Sequence, residues 1–404
     1  MPIAKTHAAV QTADRVHRFQ YAIRSIVGEA HKVEATGKQV HYLNIGDPVA
    51  FGFDTPPHLI AAVEKAMHDR HNTYGPSAGI SEARHAVARE YTTHGFPVSP
   101  DRVFITAGTS EGIELTLSAA INTGDEVLVP MPTYPLYTAV LAKLDARTKY
   151  YRLDPNNGWL PDLDHLESLV TPATLAIVII DPNNPTGAVY PREMRRALLD
   201  FADRHGLLIL ADEVYGELGF EGRVDPLGLL DPDAAIVSYS SLSKAYLAPG
   251  WRTGWMAIGR SPRLDGLAAA VRKLADGRLC STVPMQHAIA AAIDGDKSHQ
   301  TSFRHALKAR ADLTVARLRE MPGVSCVAPT AAFYAMPRVQ LPAGKTDEDY
   351  VKALLHATGV LCVYGSGFGL PAEQGFLRIV FLAPLDELAA IYDLMAAFTA
   401  DYLQ

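Results

Sequence analysis

Lys244 stands in the stretch Ser240-Ser241-Leu242-Ser243-Lys244, and Arg252 follows eight residues later, beside Trp251. Ahead of the lysine, Ala235-Ile236-Val237-Ser238-Tyr239 reads as a short buried strand. Small hydroxyl residues at a strand end can hold phosphate oxygens, and so can the fork of an arginine. A lysine in a partly desolvated pocket loses its charge and becomes a nucleophilic amine. Such a set suits a lysine that forms a Schiff base with a phosphate-bearing aldehyde, pyridoxal phosphate. A lone Ser-x-Ser-Lys is a loose motif that a surface lysine satisfies as well. The rest of the chain has to decide.

Other polar residues stand where apolar runs break. Asp212 ends the run Leu207-Leu208-Ile209-Leu210-Ala211, where an unpaired carboxylate would be costly. There it can keep a proton on a pyridine nitrogen and make the ring an electron sink; read alone, it is a helix N-cap. Tyr215, three residues on, can donate to a ring oxygen, and Asn184 can do so from the other side. Asn184-Pro185-Thr186-Gly187 is also an ordinary turn sequence. Tyr134 offers an aromatic face for stacking on a flat heterocycle. Gly108, Thr109 and Ser110 turn the strand Val103-Phe104-Ile105-Thr106 into a helix and form a phosphate cradle together with Ser241, Ser243 and Arg252. Arg378, among Leu377, Ile379 and Val380, is a bidentate clamp for a carboxylate.

These positions need a scaffold, and the pattern supplies one. Residues 8–36 read as a helical arm that Gly37 stops. Apolar strands are expected at 103–106, 126–129, 175–180, 207–211, 235–239 and 254–258. Amphipathic helices are expected near 56–70, before 91, before 121, at 135–143 and at 191–204. Continuous apolar strands alternating with helices argue for an α/β fold with a mostly parallel sheet covered on both faces. Ligands in such folds bind beyond the carboxyl ends of the strands. Residues 262–320 read as mostly helical. The remainder, with strands near 332–336, 360–363 and 375–381 and a helix near 347–358, reads as a separate, smaller α/β domain.

The 404 residues are 48% hydrophobic and 20% charged, with a net charge of −7 and no Lys/Arg block. That composition points away from nucleic acid and anionic membranes. No stretch is apolar enough to span a bilayer. Cys280, Cys326 and Cys362 are far apart and lack metal-ligand spacing, so no metal is expected, and they read as reduced thiols of a cytoplasmic protein. Lys5, Arg15, Arg18 and Arg24 against the single acid Asp14 are faintly like a transit peptide, but one poor in serine.

The ordered set of Asn184-Pro185-Thr186-Gly187, Asp212-x-x-Tyr215 and Ser241-x-x-Lys244 with Arg252 resembles the class I aminotransferases of the fold-type I pyridoxal phosphate enzymes, over residues 15–400. Within that family the chain is most similar to the bacterial alanine aminotransferases (glutamate–pyruvate transaminases). That likeness rests on Tyr21-Ala22-Ile23-Arg24, Leu43-Asn44-Ile45-Gly46-Asp47-Pro48, the run from Arg278 to Ile289, and Met321-Pro322-Gly323-Val324-Ser325-Cys326. The resemblance implies a seven-stranded-type sheet in a large cofactor-binding domain (51–295). It implies a small domain made from an N-terminal arm (1–50) and residues 296–404. It also implies a homodimer with shared active sites, in which Tyr74 reaches the neighbouring subunit's phosphate. Gly46 then lies near the substrate carboxylate, and Tyr21 and Arg24 close over the substrate, Arg24 pairing with the second carboxylate of glutamate or 2-oxoglutarate.

The implied activity is ping-pong amino transfer between an L-amino acid and a 2-oxo acid, with alanine and 2-oxoglutarate favoured. The lysine stretch from Ser241 to Trp251, where the relatives carry asparagine-glycine before Leu-Ser-Lys and a phenylalanine before the arginine, and the glycine-rich loop Tyr364–Gly369 depart from the relatives' pattern and leave the amino acid open. Aspartate, aromatic or branched-chain transamination and a C–S lyase use the same scaffold. A transcription-regulator sensor domain would need a basic winged-helix segment ahead of Gly46, where only about 40 residues stand.

Overall fold

The structure, a computed structural model, describes residues 10–17 and 22–404. Its central sheet runs in the order Val103–Thr106, Gly254–Ile258, Ile236–Ser241, Leu208–Asp212, Thr174–Ile180, Glu126–Met131, Arg147–Asp154, Leu160–Pro161. Pairing is parallel from Ile236–Ser241 across to Arg147–Asp154. Gly254–Ile258 runs antiparallel to both neighbours. The two-residue strand Leu160–Pro161 extends a sheet of seven longer strands.

Both faces of the sheet are covered, which is why its strands are apolar throughout. Leu128, Ile177, Ile179 and Ile209 point to one buried cluster, with Leu198, Leu199 and Phe201 of the helix Arg192–Arg204. Val127, Val129, Val178, Ile180 and Leu210 point to the other, with Ile113 and Leu117 of the helix Thr109–Ala120 and Val140 and Leu141 of Pro135–Lys143. The alternation follows the two-residue repeat of a strand. Each such aliphatic side chain contributes about 1.5–3 kcal/mol on burial.

Two departures from the pattern have simple causes. Arg147–Asp154 is a strand although its sequence is mostly polar: it lies near the sheet edge, with Arg147 and Arg152 exposed and Tyr151 and Leu153 buried. The arm is not one helix, since residues 10–13 are non-helical and the turn Asp14–His17 buries nothing. Ala22–Glu34 is helical because Ile26, Ala30 and Val33 recur on one buried face.

The last third forms small sheets of its own. Leu377–Val380 lies between Tyr334–Ala335 and Val363–Tyr364, antiparallel to both. His41–Tyr42 pairs in parallel with Val360–Leu361, so the N-terminal segment joins this region. The helices Ser298–Glu320, Asp347–Thr358 and Leu385–Tyr402 complete it. Among the described residues no helix is long and apolar enough to cross a membrane.

Candidate active site

A cavity of about 460 Å³ lies at the carboxyl ends of the parallel strands. Lys244, Asp212, Tyr215, Asn184, Tyr134, Thr109, Ser110, Ser241, Ser243, Arg252, Gly46 and Arg378 all line it. Gly108 lies just behind, against Arg252. Tyr74 is 84% exposed and is not part of the lining. Tyr21 and the side chain of Arg24 lie outside the described residues, although Val27 on the same helix lines the cavity.

Strand pairing explains how residues eight apart come to share one rim. Ile236–Ser241 and Gly254–Ile258 are antiparallel, with Ser241 opposite Gly254. The Leu242 N–H donates to the Thr253 carbonyl at 2.9 Å, so the intervening loop closes on itself at the cavity mouth. Lys244 and Arg252 both stand on that loop. The Lys244 Nζ donates to the Gly46 carbonyl at 2.7 Å. Burial pushes its pKa down to about 8; Asp47 opposes this, and Arg378 and Arg252 reinforce it. Lys244 is thus an amine that a modest change in surroundings deprotonates.

Asp212 ends its strand between Ile180 and Tyr239. Tyr137 donates to its Oδ2 at 3.0 Å, and the Val214 N–H approaches Oδ1 at 3.5 Å. Burial raises its carboxyl to about 6 despite those donors. The Tyr215 and Tyr334 hydroxyls are 2.8 Å apart and buried. Burial holds both Tyr137 and Tyr215 well above the usual phenol range, so each keeps its proton.

Opposite lies a seat for an anion. The helix Thr109–Ala120 begins at the cavity, and the Thr109 hydroxyl is buried with no hydrogen-bond partner among the described residues. Gly108 has φ +75°, and a Cβ there would lie 2.1 Å from Nη2 of Arg252. A Cβ on Gly254 would lie 2.7 Å from the Thr109 nitrogen. These two glycines let the helix start, the adjacent strand and the guanidinium close up. Arg252 donates to the Pro249 carbonyl at 3.0 Å and, at a long 3.5 Å, to Ser243 Oγ. Ser241 Oγ accepts from the Ser243 N–H at 3.2 Å.

On the far wall, Arg378 is 2% exposed. Its Nη2 donates to the Asn44 carbonyl at 2.8 Å and its Nη1 to Asn184 Oδ1 at 3.3 Å. The guanidinium lies between the rings of Tyr334 and Phe368, 4.9 and 4.8 Å from their centroids. Such a cation is fixed in plane and suited to a carboxylate. Tyr137, Tyr334, Asn44 and Phe368 were not singled out by the sequence pattern. Tyr137 lies one helical turn after Tyr134, and Tyr334 pairs with Val380, next to the strand position of Arg378's neighbour Ile379.

Residues 38–390 match the sequence family described as Aminotransferase class I and II. The chain belongs to that family. Alanine aminotransferase of Mycobacterium tuberculosis is 38% identical over 393 residues, which cover 95% of this chain and 91% of that protein. Glutamate-pyruvate aminotransferase AlaA of Escherichia coli K12 is 34% identical over 403 residues, covering 98% and 99%. The solved structure of an alanine aminotransferase from Pyrococcus furiosus matches with a TM-score of 0.94 at 36% identity, covering 97% of this chain and 100% of that one.

The family's cofactor is pyridoxal 5′-phosphate, and it is the cofactor of this aminotransferase. The donor set fits it. The unpartnered Thr109 hydroxyl and the glycine-made approach to Arg252 suit a phosphate, Asp212 suits a protonated ring nitrogen, and Lys244 suits an aldehyde.

Proposed function

We propose that this aminotransferase exchanges amino groups between alanine or glutamate and the matching 2-oxo acids, pyruvate and 2-oxoglutarate, in two ping-pong half-reactions. The observation that carries the reading is the half-buried Lys244 amine, with its lowered pKa, facing a cavity that Asp212 and Arg378 also line. The choice of alanine and glutamate rests on the likeness to the mycobacterial, Escherichia coli and Pyrococcus furiosus enzymes.

The bound cofactor supplies an aldehyde for amine exchange and a ring that accepts the electrons of a neighbouring carbanion. The residues of the chain do the rest. Thr109, Ser110, Ser241, Ser243 and Arg252 hold the phosphate, helped by the N–H groups at the helix start beyond Gly108. Asp212 keeps a proton on the ring nitrogen, and Tyr137 keeps Asp212 in place. Tyr215 and Asn184 donate to the ring oxygen, and Tyr134 stacks on the ring. Arg378 binds the α-carboxylate with Asn184 and the Gly46 backbone beside it, which presents the substrate Cα–H to Lys244. With a pKa near 8 the Lys244 amine can take that proton and return it.

Tyr21 and Arg24 are proposed to close over the substrate, Arg24 receiving the second carboxylate of glutamate. Three further proposals follow the same reading. The large cofactor domain spans 51–295, and the small one combines 1–50 with 296–404, supported by the pairing of His41–Tyr42 with Val360–Leu361. The enzyme is a homodimer in which Tyr74, exposed on this chain, completes the partner's phosphate site. It works in the cytoplasm, in keeping with three free cysteines.

The test is a half-reaction followed by absorbance. Holoenzyme is mixed in turn with alanine, glutamate, aspartate, phenylalanine and cystathionine. Loss of the cofactor's visible band with alanine and glutamate fastest, restored by 2-oxoglutarate or pyruvate, is the expected result. Pyruvate and ammonia from cystathionine, with no amino acid able to bleach the band, would replace the transaminase by a lyase.

A further inference from the structure

We propose that Tyr334 is a positioning residue that ties the carboxylate clamp to the ring-binding side of the site; this rests on the amino-transfer reading above. Tyr334 touches three walls of the cavity at once. Its hydroxyl is 2.8 Å from that of Tyr215. Its ring is one of the two faces that hold the Arg378 guanidinium. Its hydroxyl also stands where a side chain on residue 46 would go, since a Cβ on Gly46 would lie 2.5 Å from it. That Gly46 carbonyl is the acceptor of the Lys244 amine.

Counting protons fixes the direction of the tyrosine pair. A phenol has one proton to donate. If Tyr215 turns its proton toward the cofactor's ring oxygen, the hydrogen bond between the two hydroxyls must be donated by Tyr334. A donated bond polarises the acceptor and strengthens the bond it makes in turn. Tyr334 therefore orients the Tyr215 proton and sharpens its donation. Through the other side of its body it keeps Arg378 in plane. The two roles use different atoms, so two substitutions separate them. Tyr334→Phe removes the hydroxyl and keeps the ring beside Arg378. Tyr334→Leu removes both.

The experiment uses holoenzyme and readouts that need no turnover. The first is the pH titration of the bound cofactor's visible absorbance. The second is the dissociation constant of a simple carboxylate, propionate, read from its perturbation of that absorbance. For Tyr334→Phe the titration midpoint should rise by about half a unit to one unit, as expected for one lost hydrogen bond. Propionate binding should stay within about twofold. For Tyr334→Leu the midpoint should rise likewise, and propionate should bind about tenfold more weakly, the scale of a lost buried cation–π contact. An unchanged midpoint in Tyr334→Phe would overturn the orienting role. Equal propionate affinity in Tyr334→Leu would overturn the clamp role. A thermal midpoint near wild type shows that the variant has folded. Because neither readout requires an amino acid, failure of the transaminase reading would appear in the half-reactions and leave these outcomes legible.

Discussion

Replacing Asp212 with Asn separates what the carboxylate does for the reaction from what it does to the fold. In the cofactor-free protein Asp212 is 4% exposed and its carboxyl is raised from 3.8 to about 6 by burial, which the Tyr137 and Val214 donors offset only in part. One pKa unit corresponds to about 1.36 kcal/mol, so holding this group ionised costs the fold about 3 kcal/mol. The sign follows from the two titrations. Below pH about 3.8 the carboxyl is neutral in both the folded and unfolded chain, and burial costs nothing through ionisation. Between about 4 and 6 only the unfolded chain releases the proton, so stability falls as pH rises. Above about 6 the full cost is present. Asparagine is neutral throughout and keeps an oxygen for Tyr137. Cofactor-free Asp212→Asn should therefore match wild type in urea unfolding near pH 4 and exceed it by about 3 kcal/mol at pH 7. Its transamination rate should fall by about 10²–10³ or more, the scale of removing a preorganised charge from a reacting centre. A variant no more stable than wild type at pH 7, or a stability difference that is the same at pH 4 and 7, would refute the reasoning: Asp212 would then not be held against its burial by the fold.

The other predictions concern the amine, the clamp and the phosphate seat. In the cofactor-free protein, Lys244 should react with an amine reagent with a midpoint near pH 8, whereas ordinary lysines react around 10.4; peptide mass spectrometry reads this directly. Arg378→Lys should raise KM for the amino acid about 10- to 100-fold with a smaller fall in kcat, because a point charge replaces a bidentate fork (steady-state kinetics). Gly108→Ala, with its Cβ 2.1 Å from Arg252 Nη2 at φ +75°, should weaken pyridoxal phosphate binding by about tenfold or more in a fluorescence titration, with the overall fold intact by circular dichroism.

The parts of the molecule that were legible in the sequence are those buried on both sides. Thr174–Ile180 reads as a strand because both of its faces meet apolar clusters and nothing else fits that composition. Arg147–Asp154 hides because one face meets water, so its composition resembles a loop. Asp212, Asn184, Lys244 and Arg378 were legible for another reason: Asp212, Asn184 and Lys244 come where apolar strands end, Arg378 lies among Leu377, Ile379 and Val380, and a polar group in such a place demands a purpose. Tyr137 and Tyr334 evade that test. A tyrosine in a helix or strand is unremarkable until its hydroxyl is seen to reach Asp212 or Tyr215. Tyr74 is a different case, since its expected role belongs to another copy of the chain.

Spacing along the chain could not show how the site divides between two sheets. Lys244, Arg252, Asp212 and Thr109 all hang from the large sheet: the closed loop from Ser241 to Gly254 holds the first two, and the pairings of Asp212 with Tyr239 and of Thr106 with Gly254 bring in the others. Arg378 hangs from a small sheet that Tyr334 shares. It meets the large sheet through Asn184, which follows the strand Thr174–Ile180, while its bond to the Asn44 carbonyl ties it to the segment after His41–Tyr42, a strand paired with Val360–Leu361 outside the large sheet. Substitutions around Ser241–Arg252 should therefore act first on cofactor affinity. Those around Tyr334, Phe368 and Arg378 should act first on how tightly the α-carboxylate is held. Every amino acid carries that α-carboxylate, so a change of amino-acid preference is to be sought where the side chain of the substrate would lie, beside the helix Ala22–Glu34, whose Val27 lines the cavity.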